Sequence, residues 1–176
     1  AARLEIDELV SLVMSKCRDV FDAEGAAVLL LDLDRHEFYF PYVAEDDPDV
    51  AGSLARVRFP AHEGIAGAVL ESGQALRIDD VATDPRFYPD IDRFTGLTTR
   101  NVLSAPLPTH RGVVGVIEVV NRRSAPSFTS ADLALLTALA GSIAVAIENA
   151  RLWGEMKASA DQLRARRRRQ GWARAV

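Results

Sequence analysis

Apolar residues follow two different rhythms along this chain. Between residues 3 and 21, Leu4, Leu9, Leu12, Val13, Val20 and Phe21 stand among charges near a 3.6-residue period, with no Gly or Pro between them. That spacing predicts an amphipathic helix. After Gly25 the rhythm shortens: AAVLLLDLD is a brief apolar run ended by acidic turn residues, and EFYFPYV follows it, rich in aromatic and β-favouring residues. Together they predict a hairpin turning near Asp34 and Arg35. Pro41 has no N–H to give a ladder, so it marks a strand edge or a bulge.

The polar, acidic stretch AEDDPDVAGS reads as a loop, and LARVRF as a return to strand. In EGIAGAVLESG, Ile65, Ala66, Val69 and Leu70 recur at helical spacing, and Ser72 with Gly73 supplies a stop. ALRID reads as a strand, and residues 81–100 as a long, lid-like connection holding one short helical piece. NVLSAPLPT and GVVGVIEVVN read as two strands joined by a turn at His110 to Gly112.

From Thr129 to about Arg169 only Gly141 and Gly154 interrupt a helix, which Thr129 or Ser130 caps. Leu136, Ala140, Ile143, Ile147, Ala150, Trp153, Met156, Ala160 and Leu163 step by three or four, the spacing of a seam between helices. The tail GWARAV reads as frayed. Strands neighbouring in sequence pair antiparallel, so the fold class is α+β, a central sheet of about six strands carrying helices.

Composition changes this picture little, and charge more. At 176 residues with 26% charged side chains the chain fits one soluble domain. No apolar run approaches the roughly 20 residues that span a bilayer, and the start AARLEIDELV lacks the basic and apolar regions of a secretory signal. A cytoplasmic setting without membrane contact is expected. The formal charge of −4 conceals an asymmetry, because residues 164–176 hold six arginines (164, 166, 167, 168, 169 and 174) and no acid, leaving −10 on the rest. A body that acidic is a poor partner for nucleic acid, and the arginine run reads as a solvated helix end complementing the helix dipole.

Candidate chemistry is a matter of binding. Cys17, the one cysteine, rules out an internal disulfide and a multi-cysteine metal site, and its helical setting makes it buried filler. His36, His62 and His110 are scattered over turns, and no HExxH or CxxC spacing occurs, so neither metal nor catalytic residues are expected. Tyr88, Asp92, Thr95 and Thr99 step by four, three and four, so a helical segment would align them along one face, either a solvated one or the wall of a polar pocket. Gly64 and Gly67 bracket the start of the EGIAG helix, whose unpaired first N–H groups favour an anion. Alternatively Gly67 only permits close packing. Asn121, Arg122, Phe128 and Asp132 fall where a strand ends and the long helix starts, and Arg122 is placed to pair with Asp132 and pin the two together.

Read in order, FPAHEGIAGAVLESGQALRIDD, DPRFYPDIDRFTGLTTRNVLSAPL, GVVGVIEVVNR, then Phe128, Asp132 and IAVAIENARLW, the chain resembles a GAF domain over about residues 23–152. It is similar above all to the regulatory GAF domains of cyclic-nucleotide phosphodiesterases and adenylate cyclases. The family signature Asn-Lys, Phe, Asp-Glu stands here as Asn121-Arg122, Phe128 and Asp132-Leu133. The resemblance implies a GAF-like sheet with long terminal helices. It also implies a cyclic phosphate against backbone groups of Ile65 and Ala66, a lid of Tyr88, Asp92, Thr95 and Thr99 over ribose and base, and Glu118 in the pocket.

Three positions depart from that pattern. Val43 and Ala44 stand where relatives place an aromatic residue and an Asp to hold the purine, and Ala27 replaces a Ser, which leaves Glu45, Asp46 or Asp47 as possible substitutes. The expected organisation is an N-terminal linker or dimer helix over 1–22, a sensor domain over 23–151, and a signalling helix with basic tail over 152–176. The resemblance implies a regulatory module, not an enzyme, that binds cAMP or cGMP without a resident cofactor and relays the event through a parallel homodimer to an output domain. The alternatives are a ligand-free relay module or a sensor of another small anion. Reduction of free methionine sulfoxide, known on this fold, uses pocket cysteines, and bilin or haem attachment likewise needs a pocket Cys or His.

Overall fold

The computed structural model describes residues 2–174, with side chains from residue 5 onward, so the side chain of Leu4 and the last two residues of the tail lie outside the described residues. Helix α1 (Ala2–Val20) leads into strands β1 (Ala23–Asp32) and β2 (Glu37–Glu45), then α2 (Pro48–Leu54), β3 (Arg58–Pro60), α3 (Gly64–Ser72) and β4 (Leu76–Ile78). A 3-10 turn (Val81–Thr83), α4 (Asp90–Thr95), β5 (Val102–Thr109), β6 (Gly112–Arg122) and α5 (Ser130–Arg174) complete the chain. The six strands form one antiparallel sheet in the order β3-β2-β1-β6-β5-β4.

Alternation along the strands sends side chains to two cores. On one face Val28, Leu103, Ile117 and Val119 pack with Val10, Met14 and Cys17 of α1 and Leu136, Ala140 and Ile143 of α5. The other face carries Leu29, Phe38, Phe40, Phe59 and Val116 under α2 and α3. Pro41 falls in a bulge: Val28 pairs with Tyr42 and Leu30 with Tyr39, so Leu29 faces two residues. Its missing N–H is harmless there, as the bulge interrupts the ladder.

Four expectations need correction. The acidic loop contains a helix, α2, because the Asp47 carboxylate accepts from the Asp49 N–H and Pro48 occupies the first turn, while Val50 and Leu54 are buried. The frayed tail is helical as far as Arg174. α5 is, by length and composition alone, long and apolar enough to cross a membrane, contrary to the sequence reading. Leu136, Ala140, Ile143 and Ala144 explain part of that apolarity, since they are buried against the sheet.

The fourth correction concerns the seam. Leu136, Ala140 and Ile143 are buried, whereas Trp153 is 64% and Met156 66% exposed. Steps averaging about 3.4 residues fall short of the helical 3.6, so the apolar stripe rotates about half a turn around α5 and leaves the core side.

The pocket between the sheet and the lid

Glycine places α3 over the sheet. Gly64 adopts φ 77°, and a Cβ on Gly67 would lie 2.6 Å from the His62 carbonyl carbon, so bare backbone lets the first turn of α3 sit against residues 61–62. Glu63 provides no side-chain cap. The Ile65 and Ala66 N–H groups, at the open end of the helix, are left without an intrahelical partner.

Opposite that turn runs the lid, residues 81–100. Asp92 closes it upon itself, accepting from the Thr99 N–H at 2.7 Å and the Thr99 hydroxyl at 2.8 Å. Tyr88 stacks 5.9 Å from the Phe59 ring. Asn121, fully buried at φ 64°, holds the far end of the lid: its amide donates to Thr98 O and to Glu24, and its oxygen accepts from the Arg100 N–H.

Between α3, α4 and the sheet lies a narrow recess with a cavity volume of about 90 Å³. Of the seven expected site residues, Ile65, Ala66, Tyr88, Asp92, Thr99 and Glu118 line it. Thr95 is the exception, because its hydroxyl donates to Ile91 O at 2.8 Å and accepts from the Leu97 N–H, so it serves its own helix. α4 is too short to carry all four lid residues on one face: Tyr88 precedes it and Thr99 follows Gly96.

Strand parity revises the departures. Ala27 and Val43 line the pocket, but Ala44 turns to the opposite core, and Glu45 takes the next pocket position. Asp46 is engaged elsewhere, with Arg18 and Arg123, and the Asp47 side chain is the cap of α2. Burial raises the Glu118 carboxyl from an ordinary 4.5 to about 7. Burial, then the neighbouring Asp46 and Glu24, raise that of Glu45 to about 7 as well. Glu118 is half-buried and lines the recess. Of the three substitutes the sequence offered, Glu45 is the one that lines the recess, as alternation counted from Val43 places it.

The signature residues sit behind the site. Arg122 donates to Asp132 at 2.7 Å and lies over the Phe128 ring, as the sequence placed it, and Asp132 exchanges hydrogen bonds with Thr129 to cap α5. No group of three or more potential metal ligands occurs among the described residues.

The architecture is thus one antiparallel sheet with a lidded pocket on one face and the terminal helices packed on the other. A family model described as "GAF domain" matches residues 3–148, and the chain belongs to that family, whose members are regulatory domains of signalling proteins. Among curated proteins it is similar to the "Probable 3',5'-cyclic phosphodiesterase pde-5" of Caenorhabditis elegans, 28% identical over 167 residues that cover 92% of this chain and 23% of that protein. The chain thus spans less than a quarter of that relative's length. Among solved structures, the GAF domain of an Acinetobacter phosphoenolpyruvate-protein phosphotransferase aligns with a TM-score of 0.71 at 19% identity, covering 85% of this chain and 86% of that one. The free methionine-R-sulfoxide reductase of Neisseria meningitidis aligns at 0.69 and 18% identity over 84% and 80%. At those identities the likeness concerns the fold.

Proposed function

We infer that this domain binds a cyclic nucleotide, cAMP or cGMP, and relays the event to an output domain elsewhere in a longer signalling protein. The observation that carries this reading is one recess that brings together the uncapped first turn of α3, the lid residues Tyr88, Asp92 and Thr99, and the carboxyls of Glu45 and Glu118. Likeness to a probable cyclic phosphodiesterase over 92% of the chain supports it. Isothermal titration with cAMP and cGMP tests it. Ligand at about 100 times Kd should stabilise the fold by about 2.7 kcal/mol, and no heat with an unmoved melting curve would reject the reading.

Binding alters the output only through a difference in affinity between two states of the domain. The route runs from the lid through Asn121 to the end of β6, and from Arg122 to Asp132 at the start of α5. Beyond Arg151 the helix is almost wholly exposed, which supports dividing a sensor body from a signalling helix near residue 151.

A parallel homodimer serves such a relay. Leu135, Ala138, Ser142, Val145, Asn149, Leu152, Met156, Ser159 and Leu163 alternate steps of three and four, and all are exposed, on the side of α5 away from the sheet. This heptad stripe replaces the seam read from sequence, and Asn149 at one of its positions suits a two-stranded register. Double substitution M156K/L163K should turn a dimer into a monomer in light scattering. A dimer that persists unchanged would dismiss the stripe as the interface.

A reductase acting on methionine sulfoxide would need a thiol in the pocket. Cys17 lies instead in the core on the opposite face, and burial pushes its thiol up to about 11. That supports a non-enzymatic role, and an unpaired buried cysteine agrees with a cytoplasmic setting. A second reading, a ligand-free relay module, draws on the narrow free space and on apolar Ala27 and Val43. The titration separates the two, because a relay module shows neither heat nor stabilisation.

A further inference from the structure

The pocket lining holds three carboxyl groups, Glu45, Asp92 and Glu118, and among the described residues no lysine, arginine or histidine. Thr99 engages Asp92. Glu118 has no hydrogen-bond partner among the described residues. Ser104 stands directly across from it on β5, fully buried, and its hydroxyl reaches no partner either. An anion entering this recess therefore meets acids and no compensating cation.

Strand pairing sets Glu118 beside the place for that anion. Val120, two residues on and about 7 Å along β6, packs with Val102 against Ile65 in the first turn of α3. A phosphate on the Ile65 and Ala66 N–H groups thus shares one end of the recess with the Glu118 carboxyl. Nothing packed around Glu118 is positive: β5 brings Ser104, β1 brings Ala27, and the lid brings Tyr88, Asp92 and Thr99. Glu63, just before the first turn of α3, pairs with His62 at 3.4 Å outside the lining. Glu45 lies farther off, across β1, its Cα about 12 Å from that of Glu118 by strand spacing and rise. Around Glu45 stand Glu24, Asp46 and Asp47, and the cation that acts on it, Arg18, is held by Asp46.

We propose that the domain takes up its anionic guest together with a proton on Glu118, so that affinity for the guest falls as the pH rises from about 6 to about 8. An ionised Glu118 and an anion in one cation-free recess repel each other, whereas a neutral carboxyl does not and has an O–H to donate. The proposal rests on the reading of the guest as a cyclic nucleotide, whose phosphodiester keeps a single negative charge throughout that interval. Burial, which raises the carboxyl of the ligand-free domain from 4.5 to about 7, sets the interval. A group that titrates there and is protonated in the complex costs little affinity at pH 6 and about tenfold by pH 8.

Titration calorimetry with cGMP and with cAMP, run between pH 6 and pH 8 in buffers of different ionisation enthalpy, reads affinity and proton uptake together on the unaltered domain. Kd should rise about tenfold across the range, and uptake per bound nucleotide should grow from about 0.1 to about 0.9 proton. In Glu118→Gln the uptake at pH 8 should fall by more than half, while His62→Gln, outside the lining, should keep it. A level Kd without proton uptake overturns the coupling and leaves the cyclic-nucleotide reading in place. Uptake that stays above half in E118Q, or is lost in H62Q, overturns the assignment to Glu118. If E118Q binds neither nucleotide, a carbon NMR titration of the Glu118 carboxyl in the unaltered domain decides: its midpoint should climb on binding, and an unmoved midpoint overturns the proposal. Binding of neither nucleotide by the unaltered domain at any of these pH values overturns both readings.

Discussion

Asn121→Ala should cost the domain about 3–5 kcal/mol, a third or more of the stability of an ordinary domain of this size. Two effects add. The residue sits at φ 64°, where Asn is tolerated and Ala is strained by roughly 1 kcal/mol. The side chain, itself fully buried, also donates to Glu24 at 3.0 Å and Thr98 O at 2.9 Å and accepts from the Arg100 N–H at 2.7 Å, in partly buried hydrogen bonds. Each orphaned backbone partner costs about 1–3 kcal/mol. Asn121→Gly removes the same hydrogen bonds and relieves the strain, so it should be about 1 kcal/mol less damaging than Ala. Urea unfolding of the three proteins measures both differences. A loss below about 1 kcal/mol for Ala would mean that the lid is held by something else.

Raising the pH from 5 to 8 should weaken the ligand-free domain. Glu45 and Glu118 ionise at about 7 in the fold against an ordinary 4.5, so the folded chain keeps protons that the unfolded chain releases. The stability they contribute is complete below about 4.5 and is lost as the pH climbs through 7. Because solvent reaches both groups, and Glu45 more than Glu118, the loss per group is on the order of 1–3 kcal/mol at the upper end of that range. Carboxyls held below their ordinary range, Asp84 by Arg86 and Glu148 by Arg151, act in the opposite sense, and only as the pH falls through their low values. They therefore leave the interval between 5 and 8 to the two pocket acids. Glu118→Gln should flatten the curve and stabilise the domain at pH 8 by roughly 1–3 kcal/mol. Unfolding midpoints equal at pH 5 and pH 8, or a Gln variant equally destabilised at both, would show that Glu118 is solvated.

The sheet was largely legible because alternation and turn chemistry are local. The hairpins at Asp34–Arg35 and His110–Gly112 and the start of α5 at Thr129 stand as read. α2 was illegible because the residues that start a helix, Asp47 and Pro48, are also turn formers, and the burial of Val50 and Leu54 decides between them. At the pocket, six of the seven positions line one recess, which reflects a motif carried by resemblance more than by spacing. Thr95 went astray because the lid is a six-residue helix flanked by turns, where periodicity does not hold. Of the three acids offered as substitutes, Glu45, Asp46 and Asp47, the sequence left the choice open because strand parity, which turns Ala44 to the other core and Glu45 to the recess, is fixed only once β2 is paired with β1. The two stripes on α5 carry similar residues, and only the sheet distinguishes the covered face from the free one.

Everything in the functional account turns on a guest seated between the first turn of α3 and the acids of β2 and β6, with the lid above it. Amide NMR of the domain titrated with cyclic nucleotide tests this most directly. Saturable shifts should concentrate at Ile65, Ala66, Asp92, Thr99 and Glu118, with smaller ones reaching Asn121 and Asp132. Shifts absent at millimolar ligand, or confined to the arginine-bearing end of α5, would contradict it.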